Sequence, residues 1–155
     1  MSNGGYDHTR VIGDQRSQAW YHTVDWGVLV AVVGSLAGVF VLIVAIVTLA
    51  RTGLPGDLTE ARTFVGPYDR TAVMGLIEIL VGMIFIGAGA SRHASGLFAL
   101  GLLASVFGIV WLIEPNAFND LLGVNRATAW TYLFIGVVSA VVGGMATNVS
   151  TTSRR

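Results

Sequence analysis

Hydrophobic residues are gathered into four long runs that short polar segments separate. The runs cover residues 27–50, 71–90, 94–113 and 127–147, and three of them contain no charged residue. About 20 helical residues cross the roughly 30 Å hydrocarbon layer of a bilayer. Backbone groups in lipid must be hydrogen-bonded within the segment, so each run is predicted to be a helix. The pattern therefore predicts an all-α, four-helix transmembrane bundle with an up-down-up-down path over residues 26–147.

The polar segments between and around the runs predict the rest of the organisation. Residues 1–25 and 148–155 are polar, so we expect two tails, the first of them mobile. The middle of the loop 51–70, which reads DLTEARTF, is predicted to form one or two helical turns on the surface. We expect a tight turn at residues 91–93. Residues 114–126 are expected to form a short amphipathic segment at the membrane interface.

Charged residues are few and balanced, which excludes some functions. The 155 residues include nine arginines, no lysine and nine acids, so 12% are charged, against about 25% in a typical soluble domain. No basic cluster is present to neutralise phosphates, so we expect no nucleic-acid partner. Five arginines lie on the side of the two termini and four on the other side. The positive-inside rule therefore favours cytoplasmic termini for a multi-pass protein of the cell membrane.

Small residues recur at helical spacing in every run and predict close helix packing. In lipid, helices associate through small residues that let their backbones approach each other. The expected packing residues are Gly34, Gly38, Gly75, Gly82, Gly101, Gly108, Gly136 and Gly143. Such motifs serve either packing within one chain or self-association, and we favour packing within the chain.

Glu78 is the only charged residue inside a run. Two glycines of its run lie on the same helix face, so the carboxyl group is expected to face protein and not lipid. An acid at the centre of a membrane helix costs about 2.5–3.5 kcal/mol on insertion scales, so it needs partners. Counting equal depths in neighbouring runs predicts hydroxyl or indole donors from Tyr132, Ser105 or Trp111. No run contains a cation, so we expect no ion pair inside the membrane, with Arg70 reaching only part of the way.

No combination of residues in the chain is typical of an enzyme. The sequence has no nucleophile–base pair, and it contains no cysteine. His22 and His93 fall on one membrane side, but their spacing does not indicate a metal site. We therefore predict no catalysis, no metal and no cofactor. The leading hypothesis is a structural or accessory subunit of a membrane complex or homo-oligomer. The alternative is a small transporter or channel component that uses Glu78 as a proton or ion site.

Two segments carry a family resemblance. They read TAVMGLIEILVG at residues 71–82 and EPNAFNDLLGVNRATAWTYLFIGVVSAVVG at residues 114–143. In these segments the chain resembles small four-span actinobacterial membrane proteins of unknown function. Such relatives often have a histidine just before the first threonine, where this chain has Arg70. The resemblance implies a four-span topology and a bacterial plasma membrane. The close-packing faces and short loops, in contrast, predict the partners: the bilayer and other membrane subunits or a second copy of the chain.

Overall fold

Four long helices dominate the part of the chain that the structure describes. The computed structural model describes residues 25–53, 58, 62–114, 116 and 118–152. The elements in chain order are α1 (Trp26–Thr52), β1 (Arg62–Val65), β2 (Tyr68–Thr71), α2 (Ala72–Ala90), α3 (Ala94–Ile113), α4 (Asn119–Leu122) and α5 (Arg126–Thr152). The predicted mobile tail lies outside the described residues, except for Asp25. The Asp25 carboxylate accepts a hydrogen bond from the Val28 N–H at 3.2 Å and so caps the N-terminus of α1.

The four long helices are each long and apolar enough to cross a membrane. They confirm the predicted helical transmembrane bundle, and the chain is an integral, multi-pass membrane protein. The fourth helix differs from the prediction, because it continues to Thr152, five residues beyond the expected end of the run. Residues 148–152 contain neither proline nor glycine, so nothing in their local sequence ends the helix.

The bundle consists of two closely packed helix pairs. α1 packs mainly on α2, which we call the first pair, and α3 packs mainly on α5, the second pair. A Cβ atom added at Gly38 would lie 2.6 Å from the Gly82 carbonyl oxygen, and one at Gly108 would lie 2.6 Å from the Leu133 nitrogen. Only glycine permits backbones this close. All eight predicted packing glycines lie against another helix of the same chain.

The loop after α1 ends in a β-hairpin and not in a helix. β1 and β2 pair antiparallel, with Arg62 opposite Thr71 and Val65 opposite Tyr68. The prediction of helical turns is wrong for residues 62–64. The run Thr-Phe-Val favours a strand, and a two-residue loop that starts with Gly66 at φ +61° is typical of a tight hairpin.

The segment before α5 packs against this hairpin. The Thr71 hydroxyl donates to the Leu121 carbonyl oxygen at 3.0 Å. Gly123 has φ +64°, and a Cβ atom there would lie 2.9 Å from the backbone of Arg70 and Thr71. Phe118 packs partly buried against the core, as expected for an amphipathic segment. We call residues 62–71 and 118–125 together the platform, because they form one layer at one end of the bundle.

Candidate functional site: a buried polar cluster beneath the platform

Four buried polar side chains meet where the platform joins the bundle. Arg70 comes from β2, Glu78 from α2, and Thr128 and Tyr132 from α5. Their exposed fractions are 2%, 1%, 0% and 7%. We call these four residues the polar cluster. The cluster joins the first helix pair to the second through the hairpin.

An ion pair lies at the centre of the cluster. Nη2 of Arg70 lies 3.1 Å from Oε1 of Glu78. Nη1 of Arg70 donates to the Asp69 carbonyl oxygen at 3.0 Å and to the Thr128 hydroxyl oxygen. The Arg70 guanidinium carbon lies 4.9 Å from the centre of the Tyr68 ring, within the range of a cation–π contact. The guanidinium therefore has partners on three elements.

This ion pair contradicts the expectation that no cation reaches Glu78. The expectation treated Arg70 as a continuation of the α2 helix face, from which its side chain would reach only part of the way. Arg70 instead lies in β2, and α2 begins two residues later at Ala72. The hairpin lies across the end of the bundle, so the long side chain of Arg70 is buried among the helices and meets the carboxylate.

Of the three predicted partners of Glu78, one bonds to it directly, one packs against that partner, and one bonds elsewhere. The Tyr132 hydroxyl donates to Oε1 of Glu78 at 3.1 Å. Trp111 contributes its ring, which meets the Tyr132 ring edge-to-face at 5.2 Å between centroids and an interplanar angle of 80°. Ser105 does not join the cluster, because its hydroxyl donates to the Gly101 carbonyl oxygen in its own helix at 2.9 Å. The structure thus brings together Glu78, Tyr132 and Trp111.

A hydrogen-bonded chain that sequence reasoning missed connects the cluster to the loop surface. The Thr128 hydroxyl, which accepts from Arg70, donates to Oδ1 of Asn125 at 3.0 Å. Nδ2 of Asn125 donates in turn to the Pro67 carbonyl oxygen at 2.7 Å. The signal in the sequence was the spacing of Asn125, Thr128 and Tyr132, three and four residues apart at the start of the fourth run. That spacing places three polar side chains on one helix face.

Two atoms of the cluster remain without a hydrogen bond. Oε2 of Glu78 and Nε of Arg70 are buried and have no hydrogen-bond partner among the described residues. One cation and one anion face each other, so the formal charge of the pair is zero. The arrangement can hold the hairpin against the helices, and its two unbonded atoms can accept or donate one further hydrogen bond each.

The chain has no match among models of known protein families, curated proteins or solved structures. The fold and the polar cluster are therefore the observations from which a function is inferred.

Proposed function

We propose that the chain is a structural or accessory subunit of a membrane complex or homo-oligomer, without catalytic activity of its own. In this proposal the platform is the surface that meets the partner. The observation that carries it is the Arg70–Glu78 ion pair, which fixes the platform to the bundle. The resemblance of residues 71–82 and 114–143 supports a bacterial plasma membrane, and the distribution of arginines supports cytoplasmic termini.

The cost of burying the pair supports a structural role. Removing two charges from water costs several kcal/mol for each ion, and close pairing with additional hydrogen bonds offsets that cost. Arg70 donates such a bond to Thr128, and Glu78 accepts one from Tyr132. Buried ionic groups in some proteins select one arrangement of the surrounding elements. Here the selected arrangement is the hairpin packed against α2 and α5, the helices that contribute Glu78 and Thr128.

The platform exposes apolar side chains of the kind that anchor protein partners. Phe64 of β1 is 67% exposed, and Leu121 of α4 is 52% exposed. Arg51 at the end of α1 donates to the Phe64 carbonyl oxygen at 2.6 Å and so fixes the strand that carries this ring. Aromatic side chains presented on a rigid surface frequently dominate binding energy at interfaces. The small-residue faces, in contrast, are occupied within the chain.

The test is gentle detergent extraction from the native membrane, followed by identification and quantification of the proteins that co-purify. The proposal predicts a reproducible stoichiometric partner, or a homo-oligomer, with the wild-type chain. Phe64→Gln should lose that partner, while His93→Gln, an exposed site at the opposite end of the bundle, should keep it. A wild-type chain that purifies only as a monomer would contradict the proposal. So would a partner that Phe64→Gln retains in full.

A second function, a small transporter or channel component, is favoured by one observation. Oε2 of Glu78 is buried without a hydrogen-bond partner in the described part of the chain, and an intramembrane acid with unused capacity is the usual mark of an ion or proton site. The neighbouring guanidinium weakens this alternative, because it already neutralises the carboxylate that a cation would need.

Flux measurements on reconstituted vesicles separate the two functions. Transport predicts proton or cation flux that Glu78→Gln abolishes while the protein remains folded. Ser105→Ala is the matched control, since its hydroxyl lies outside the cluster and bonds only its own helix. Absence of flux from folded wild-type protein would remove the transport alternative.

A further inference from the structure

We propose that the end of the bundle opposite the platform binds one anionic phospholipid with two acyl chains. In this proposal Arg92 pairs with the phosphate, and the two chains lie on either side of Leu36 on α1. The site is distinct from the polar cluster and does not depend on the proposed accessory function.

The phosphate end of the site is the turn between α2 and α3. Arg92 is exposed and has φ +51°, a left-handed backbone conformation that is uncommon for residues other than glycine. Its side chain extends across the start of α1, where Gly27 leaves room for it. A Cβ atom at Gly27 would lie 3.2 Å from Oδ1 of Asp25 and 3.5 Å from Cδ of Arg92, so the guanidinium lies near a carboxylate that already caps α1. A cation at the end of two spans lies at the level of lipid headgroups, where it attracts anionic lipid.

The first chain position is a groove that begins directly at this arginine. It has a volume of about 420 Å³ and is lined by Val28, Ala31, Val32, Ser35, Leu36 and Arg92. We call it the Arg92 groove. Its walls are mostly apolar, and it runs along α1 from the membrane end toward the centre. A charged group at one end and an apolar wall below it match the order of groups in a phospholipid.

The second chain position is a groove between α1 and α5, where the two helix pairs meet. It has a volume of about 380 Å³, and residues of its walls include Val33, Ala37, Phe40, Phe134 and Val138. We call it the seam groove. Its surface is almost entirely apolar, as hydrocarbon requires. An open apolar groove at membrane depth is filled by lipid chains, because water there would leave its hydrogen bonds unmade.

Leu36 lines both grooves and separates them. It is 65% exposed, so it projects from α1 as a ridge. Leu36 lies ten residues after Trp26, the first residue of α1, or about 15 Å along the helix axis at 1.5 Å per residue. That distance is half of the roughly 30 Å hydrocarbon layer, which is the depth that one leaflet's acyl chains reach. One lipid with its phosphate at Arg92 can therefore place one chain in the Arg92 groove and the end of the second chain at Val33 and Ala37, the part of the seam groove nearest Arg92.

The headgroup contact is tested with the full chain in mild detergent that contains dioleoyl phosphatidylglycerol or dioleoyl phosphatidylcholine. Native mass spectrometry then measures the affinity of the first bound lipid. We expect preference for phosphatidylglycerol, and Arg92→Gln should lower its affinity about fivefold, the equivalent of about 1 kcal/mol. Arg126→Gln, at an exposed helix end on the other membrane side, should leave it unchanged. Equal binding of both lipids, or an equal loss in both variants, would overturn the proposal.

The two chain positions are tested by comparing two-chain phosphatidylglycerol with its one-chain lyso form. The wild-type protein should hold the two-chain lipid more tightly. Ala37→Phe fills the seam groove from α1, and Val138→Phe fills it from α5, so either folded variant should bind both lipids equally. Leu103→Ala, at an exposed α3 position, is the control and should keep the difference. If the wild type does not distinguish the two lipids, or if folded seam-groove variants still do, the two-chain site is wrong.

Discussion

Removing the carboxylate of Glu78 is the perturbation whose effect follows most directly from the structure. Glu78→Leu deletes the countercharge of Arg70, whose side chain is 2% exposed and cannot turn to water without moving the hairpin. Loss of one partner from a buried ion pair typically costs about 3–5 kcal/mol. That cost corresponds to about two to three and a half orders of magnitude in the unfolding equilibrium constant. A single hydrogen bond between membrane helices, in contrast, averages only about 0.6 kcal/mol.

A double-mutant cycle turns this magnitude into a decisive assay. The free energy of unfolding is measured in mixed micelles of mild detergent and SDS for wild type, Glu78→Leu, Arg70→Leu and the double variant. Each single variant leaves one charge buried alone, whereas the double variant leaves none. We therefore expect the double variant to be more stable than either single one, because replacing a whole buried pair by apolar residues is often neutral or stabilising.

Two outcomes would refute the reasoning. One is a loss of only about 0.6 kcal/mol for Glu78→Leu, the size of an ordinary interhelical hydrogen bond. The other is strict additivity of the two single substitutions, since side chains 3.1 Å apart that form a buried pair must couple.

Three further substitutions test the packing and the cluster in the same unfolding assay. Gly38→Ala should lower the free energy of unfolding by about 1–3 kcal/mol, because the new methyl group meets the α2 backbone. The control Gly87→Ala should be neutral or slightly stabilising, because a Cβ atom at Gly87 has no neighbouring atom within 4 Å. Tyr132→Phe should lower the free energy of unfolding by about 0.6–1.7 kcal/mol, the range for an interhelical hydrogen bond, and should retain the near-ultraviolet circular dichroism signal. An unchanged free energy of unfolding would contradict the bond from Tyr132 to Glu78. Ser139→Ala should leave the free energy of unfolding unchanged, because the buried Ser139 hydroxyl has no hydrogen-bond partner among the described residues. A decrease of more than about 1 kcal/mol would contradict this, because it would indicate a hydrogen bond that the structure does not contain.

The helices were predictable because the membrane imposes simple rules on sequence. Length and the near absence of charge were enough to locate all four spans, and glycine spacing identified the faces that pack. Equal-depth counting found Tyr132 as a partner of Glu78, because α2 and α5 both start at the platform end and run parallel, so residues equally far from their first residues lie at one depth. These predictions depend on local periodicity and on the thickness of the bilayer, which are properties that one sequence displays.

The hairpin and its arginine were not predictable in the same way. Residues 57–64 are too short a segment to distinguish a strand from a helical turn by periodicity. Helical spacing from Glu78 also extends back to Arg70, so the sequence predicts Arg70 on the α2 face, two turns from the acid, and does not indicate that β2 contains it. The bonds of Thr128 and Asn125 depend on where the hairpin lies against α5. That contact joins residues 58 positions apart, so local sequence could not indicate it.

The central claim is that the Arg70–Glu78 pair fixes the platform to the bundle, and a distance measurement tests it most directly. The chain contains no cysteine, so Phe64→Cys on the hairpin and Arg126→Cys at the start of α5 give two unique sites for spin labels. Pulsed electron paramagnetic resonance in lipid nanodiscs should give one narrow distance distribution for this labelled protein. The distribution should broaden or split when Glu78→Leu is added. A broad distribution with the intact pair, or a narrow one that Glu78→Leu leaves unchanged, would contradict the account.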